Sequence, residues 1–223
     1  MSDVTITQPQ NRVERRKQRT RIALLQAAQA FIAAGKQNAP ILEITQAADV
    51  GMGSFYNYFD SKEELFAAAV TDVLDAQGDL LDALTESVVD PAERFACRYR
   101  LCGRLFRRRP REARIMLSIG LSMLASDRGL APRARRDIAA ASDAGRFTVG
   151  DPDIALAIAG GALLGLGQLL LDQPDRDDAE AADEVTRTVL RLLGMTARQA
   201  ARLTSRPLPD IAVGGDTGSA GAG

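Results

Sequence analysis

Ile41-Leu-Glu-Ile-Thr-Gln-Ala-Ala-Asp-Val-Gly-Met-Gly-Ser-Phe-Tyr-Asn-Tyr-Phe-Asp-Ser-Lys62 is the stretch from which the rest of the chain is read. Its pattern predicts two short helices joined by a tight turn. The first runs Leu42–Ala48, with Leu42, Ile44 and Ala48 inward. The turn falls at Asp49–Gly51, where Asp tolerates the left-handed backbone that such turns need. Gly51 caps the second helix, Met52–Tyr58, and Val50 plugs the angle between the two. Phe55 and Phe59 are four apart, so both point the same way, towards a core of Ile22, Leu25, Phe31, Ile44 and Val50. Met52, Gly53, Ser54, Tyr56, Asn57 and Tyr58 are left outside. Two tyrosines and an asparagine on the free side of a short helix make an odd surface for a purely structural element.

Those residue types suit a helix-turn-helix whose second helix enters the DNA major groove. Gly53 lets the backbone approach the duplex. Asn57 offers a paired donor and acceptor to adenine, Ser54 a hydroxyl to base or phosphate, and Met52 an apolar tip to a thymine methyl. Tyr56 and Tyr58 are placed for phosphates on the groove walls. Lys62 opens the next helix, where a lysine and free amides together favour a phosphate. With Thr45 and Gly51 these residues form the candidate DNA-binding set.

Working outward, Ser61-Lys-Glu-Glu64 reads as a capping box. Upstream, apolar residues at Ile22, Leu25, Ala28 and Ile32, widened by Leu24, Ala27 and Phe31, predict a helix over 16–34 that Gly35 stops. Residues 1–11 read as a disordered arm. The net charge of −1 hides an asymmetry. Residues 11–62 carry eight bases (Arg12, Arg15, Arg16, Lys17, Arg19, Arg21, Lys36 and Lys62) against four acids (Glu14, Glu43, Asp49 and Asp60). A basic module on an acidic body is the balance expected of a chain that meets a polyanion at one end. The Arg12–Arg21 run reads either as a solvated helix start or as an arm reaching DNA backbone or an adjacent minor groove.

Residues 24–62 resemble the DNA-binding domain of the TetR family of bacterial transcriptional regulators. The resemblance lies in Ala27-Ala28, Phe31 and Gly35, in Ile44 with Ala48-Asp-Val50, and in Gly53-Ser-Phe-Tyr-Asn-Tyr-Phe59 followed by Ser61-Lys-Glu. It implies a dimeric repressor that binds a palindromic operator. Its helical C-terminal part would bind a small hydrophobic effector and thereby release the DNA. Three positions depart from the family pattern. Asp49 stands for the usual glycine of the turn, Asn38-Ala-Pro40 for the usual Ser or Thr cap, and Met52 where a basic residue is common.

The remaining sequence predicts an all-α fold: a three-helix DNA-binding domain over 12–62, a helical effector-binding and dimerisation domain over 63–206, and a disordered tail over 207–223. Helices are expected from 62 to about 84 or 88, from the Asp90-Pro-Ala-Glu93 start, and over 110–125, 131–144, 152–171 and 178–193. Gly194 closes the last of these, and Thr196-Ala-Arg-Gln199 caps one more. Phe95, Tyr99, Cys102, Met116, Ile119, Met123, Phe147, Leu163 and Leu166 are the candidate lining of an apolar effector pocket, though residues at such spacing also read as plain core. Residues 154–171 carry no charge, yet aspartates flank both ends without a Lys or aromatic belt, so no membrane span is expected. A helix apolar all round is buried in the core or in a subunit interface. Ala157, Gly161 and Gly165, with Val185, Val189 and Leu192 on the following helix, are the candidate dimer interface.

Composition narrows the chemistry. Of 223 residues none is histidine, which removes His-based nucleophile machinery, general bases and zinc sites. The two cysteines, Cys97 and Cys102, lie five apart in helix and are expected as free thiols in a reducing compartment. No catalytic residues, metal or cofactor are expected, and the chain does not read as an enzyme. The location expected is cytoplasmic, since no basic-apolar-small leader opens the sequence. The alternative function is an architectural DNA-binding protein without an effector.

Overall fold

The computed structural model describes residues 9–211 of the chain, with helices and no strand among the described residues. They divide into two compact units. One comprises the residues up to Gly78 together with Arg111–Pro132, the other Asp79–Pro110 together with the residues from Arg133 on.

The first unit holds α1 (Pro9–Ala33), α2 (Ile41–Ala47), α3 (Met52–Phe55), the first part of α4 (Lys62–Leu84), α6 (Pro110–Ile119) and a 3-10 segment (Gly120–Ala125). Its core is Leu24, Leu25, Ala28 and Ile32 from α1, Ile44 from α2, Phe55 and Phe59, Leu65, Ala69 and Val73 from α4, and Ile115. Gly35, at φ +70°, ends α1, and the Lys36 amide donates to the Phe31 carbonyl at 2.8 Å. Two expected core positions lie outside: Ile22 is 43% exposed and Leu42 is 49% exposed. Helix α1 begins at Pro9, not Arg16, so the arm expected over 1–11 is helical from residue 9; residues 1–8 lie outside the described part.

The second unit packs the end of α4, α5 (Pro91–Arg108), α7 (Leu130–Asp143), α8 (Pro152–Asp172), α9 (Asp178–Leu192) and α10 (Ala197–Thr204). Its starts follow the sequence signals. Asp90 accepts the Glu93 amide with Pro91 in the first turn, Asp151 accepts from Asp153 and Ile154, and Thr196 and Gln199 form a reciprocal box. Within this unit neighbouring elements approach closely at Gly103 and Gly167. A Cβ there would meet Ala182 at 2.6 Å and Phe106 at 2.8 Å respectively. The tail expected from 207 is held at least to Ile211, which is buried. Arg100 donates to the Arg206 carbonyl at 2.7 Å, and Arg206 pairs with Glu93. Residues 212–223 lie outside the described part. Among the described residues one helix, Pro152–Asp172, is long and apolar enough to cross a membrane by length and composition.

Candidate nucleic-acid interface

The turn between α2 and α3 rests on Asp49, whose φ of +53° is the only left-handed backbone among the described non-glycine residues. The Val50 amide closes the turn on the Thr45 carbonyl at 2.9 Å. Gly51 precedes α3 in extended conformation. Helix α3 is shorter than expected, four residues instead of seven. Beyond Phe55 the chain continues as turns, with amides of Asn57, Tyr58 and Phe59 bonded to Ser54, Phe55 and Phe55. The two phenylalanines account for this. Phe55 is 0% exposed and Phe59 3%, their ring centroids 6.1 Å apart, and together they fasten both ends of the segment to the core. Fully burying a Phe side chain stabilises by about 1.5–3 kcal/mol, enough to override local helix preference over one turn.

What the phenylalanines do not bury faces solvent. Met52 is 47% and Tyr56 56% exposed, and Gly53 and Asn57 are exposed as well. No atom lies within 4 Å of where a Gly53 side chain would begin. The Tyr56 ring stands edge-on to Phe55, centroids 5.1 Å apart. Ser54 and Tyr58 are half-buried. Asn57 and Tyr58 line a cleft of about 680 Å³ with Glu14, Lys17, Gln18, Arg21 and Ile22 of α1. The Arg21 guanidinium sits 5.6 Å from the Phe59 ring centroid. Packing of α1 against the two phenylalanines was expected from sequence, but the cleft that Glu14, Lys17, Gln18 and Arg21 share with Asn57 and Tyr58 was not.

Thr45 leaves the candidate set. It is 1% exposed and its hydroxyl donates to the Leu42 carbonyl at 3.0 Å, so it has neither the access nor the free hydrogen for a nucleic acid. Lys62 starts α4 half-buried. The Ser61 hydroxyl accepts the Glu64 amide at 3.1 Å, while Glu64 accepts the Asp60 amide at 2.6 Å, one residue before the amide expected.

The candidate effector residues are divided between the two units. Met116, Ile119 and Met123 belong to the first unit, where Ile119 lines a cleft of about 490 Å³ with Ile32, Lys62, Phe66, Ser118 and Ser122. Phe95, Tyr99 and Phe147 fill the core of the second unit. Phe95 meets Phe147 edge-on at 5.6 Å, and the Tyr99 hydroxyl donates to the Ala159 carbonyl at 2.7 Å. Burial pushes the Tyr99 phenol far above its ordinary range. Cys102 and Leu166 are buried and Leu163 packs on the same core. Neither cysteine is in a disulfide, and burial raises the Cys97 thiol.

The candidate interface divides as well. Ala157 and Gly165 are exposed, and Gly161, half-buried, has no neighbouring atom within 4 Å of its Cβ position. Leu192 is 61% exposed and Val185 half-buried, but Val189 is 1% exposed and belongs to the core, so it cannot present itself to a partner.

Two ionic clusters in the second unit were not foreseen. Asp137, 1% exposed, accepts from Arg98 at 2.7 Å and from Arg94 at 3.2 Å. Arg98 also reaches Asp82 at 2.5 Å and Thr85 at 2.8 Å, and Asp82 takes a further bond from Arg133 at 2.6 Å. Burial works to raise the Asp82 carboxyl, but Arg133, Arg98 and Arg136 outweigh it and hold it below its ordinary value. In the second cluster Asp183 accepts from Arg100 at 2.7 Å and Arg104 at 2.8 Å. Burial again works to raise its carboxyl, and the two arginines win and lower it. Of the five arginines between 104 and 111, three bond within the chain: Arg104 to Asp183, Arg107 to the Gln173 and Arg176 carbonyls, and Arg111 to the Gln26 carbonyl.

Two family models match the chain. Residues 23–69 match the family model described as bacterial regulatory proteins, tetR family, and residues 90–206 match the tetracyclin repressor-like C-terminal domain. No curated protein matches the chain significantly by sequence. Among solved structures, RolR in complex with resorcinol is 32% identical, with a TM-score of 0.62 over 89% of this chain and 99% of that one. Ligand-free RolR is also 32% identical, with a TM-score of 0.66 over 85% and 98%. SmeT, the repressor of the Stenotrophomonas maltophilia multidrug efflux pump SmeDEF, shares the fold at 22% identity, with a TM-score of 0.64 over 85% and 97%.

Proposed function

The chain belongs to the TetR family and is a DNA-binding transcriptional regulator, and from that premise we propose that it is a homodimeric repressor released from a palindromic operator by a small aromatic effector. Residues 12–62 act on DNA and residues 63–206 carry effector binding and dimerisation; the protein works in the cytoplasm, where its operator is. The observation that carries the reading is the exposed set Met52, Gly53, Tyr56 and Asn57 on a segment clamped by Phe55 and Phe59. Rigid backing leaves these groups aimed outward before DNA arrives, so little ordering entropy opposes binding. Asn57 reads a base edge, Met52 a methyl group, and Ser54, Tyr56, Tyr58 and Lys62 hold phosphates. Gly51 and Gly53 keep the entry of α3 slim.

Dimerisation is supported by the outer face of α8. Ile154 is 59% and Ile158 42% exposed, in line with Ala157, Gly161 and Gly165, and α9 adds Leu192. Such an apolar row on a soluble regulator is covered by a second copy. The effector reading leans on RolR, which was solved with resorcinol. We assign the effector to the second unit, with Phe95, Tyr99, Cys102, Phe147, Leu163 and Leu166 as its apolar surroundings. The test is fluorescence anisotropy on a selected duplex with and without a panel of phenols. Release by one phenol, with binding to random DNA unaffected by Asn57→Ala, supports the reading. Operator affinity indifferent to every small molecule tried leaves an effector-independent DNA-binding protein.

A further inference from the structure

From Arg12 to Arg19 helix α1 buries no side chain. Helix α1 is 25 residues long, and residues 12–19 are exposed throughout, the first buried side chain being Leu24. At about 1.5 Å per residue, roughly 18 Å of helix separate Arg12 from that anchor. A helical stretch without a packed face is marginal by itself in water.

At about 100° per residue, Arg12, Arg15, Arg16 and Arg19 fall within an arc of roughly 100°. Glu14, Lys17, Gln18 and Arg21 fall outside that arc, with Ile22 at its edge beside Arg15, and these five line the cleft with Asn57 and Tyr58. The helix therefore has a flank turned to the DNA-reading segment and a second flank, of four arginines, turned away from it. The only acid between Arg12 and Arg21 is Glu14, on the first flank. The single large apolar side chain between them is Val13, 58% exposed. A membrane-surface helix needs a broad apolar face that this one lacks.

We propose that Arg12, Arg15, Arg16 and Arg19 form a second DNA contact, gripping the phosphates that flank the half-site read by the α3 segment. The proposal rests on the operator-binding reading above and adds to it an outer contact independent of base sequence. The strip spans about 10 Å, a length over which one strand presents about three phosphates. Arginine suits the task, since its planar fork matches phosphate oxygens in pairs. Losing three contacts lowers the slope of log Kd against log salt by about 3 for each protomer engaged.

The experiment compares a selected operator carrying ten extra base pairs on each side with the same operator trimmed to its half-site edges. The full-length protein is used, unaltered, with all four arginines changed to Gln, or with all four changed to Lys; circular dichroism checks that helix content is kept. The expected result is that the unaltered protein and the Lys variant lose about tenfold or more on trimming. The Gln variant binds both duplexes alike, with a shallower salt slope and undiminished preference for operator over random DNA. A Gln variant that keeps the original salt slope and the original dependence on flanks overturns the proposal. If the unaltered protein prefers no sequence and Asn57→Ala changes nothing, the operator reading itself fails and takes the proposal with it.

Discussion

At the scale of single residues, Phe55 and Asn57 divide the labour between fold and function within three positions. Phe55 is wholly buried, and its truncation to alanine is expected to cost about 3–5 kcal/mol, measured as a lower urea midpoint with DNA binding lost as a consequence. Asn57 is exposed and touches nothing the fold requires, so Asn57→Ala should leave the urea midpoint unchanged. It should cost about 1–3 kcal/mol at the operator and nothing on random DNA. Lys62→Ala should weaken both duplexes equally and lower the salt slope by about 1. Asp49 shows how far residue chemistry can be read ahead of coordinates: a left-handed turn was expected at that position, and its φ is +53°. Thr45 and Val189 show the limit. A step of one or two residues along a helix, about 100° each, carries a side chain from surface to core, and no local signal distinguishes Thr45, which bonds its own helix, from a hydroxyl offered outward.

At the scale of elements, helix starts were legible because caps are local. Asp90, Asp151 and Thr196 each accept the amides that a cap should, and the helices they open begin within a residue of the expected place. The shortening of α3 and the extension of α1 to Pro9 were not legible, since each is decided by what the rest of the molecule does or does not pack against the element. The ionic clusters are of the same kind. Nothing local in the sequence gives Arg94, Arg98 and Arg100 their partners, which the fold brings from afar as Asp137 and Asp183. Removing one partner of such a pair leaves an uncompensated charge, so Asp137→Ala should cost about 3–5 kcal/mol in chemical denaturation. The pH dependence follows from the lowered carboxyls of Asp82 and Asp183. Their ionised forms favour the folded state, so their contribution is complete above the ordinary carboxylate value near 4 and is lost as pH falls through the lower folded values. Thermal melts should be flat in this respect from pH 7 to about 5 and should drop below about pH 4.

At the scale of the whole molecule, the account needs two copies. The interface was expected at Ala157, Gly161 and Gly165 with Val185, Val189 and Leu192, and the proposed dimer would cover the exposed Ile154 and Ile158 of α8 and Leu192 of α9. Placing a charge on that row, as in Ile158→Glu, should yield a folded monomer in sedimentation whose operator affinity falls to that of a single half-site. A dimer sets two α3 segments apart by about 34–36 Å or a multiple, which a palindrome with matching half-site spacing must mirror. Selection of bound duplexes from a random pool therefore tests the account most directly. It predicts enrichment of an inverted repeat whose half-sites are centred one or more helical turns apart, and loss of that enrichment with Asn57→Ala. Recovery of no common sequence, or of one unrepeated motif selected equally well by Asn57→Ala, contradicts it.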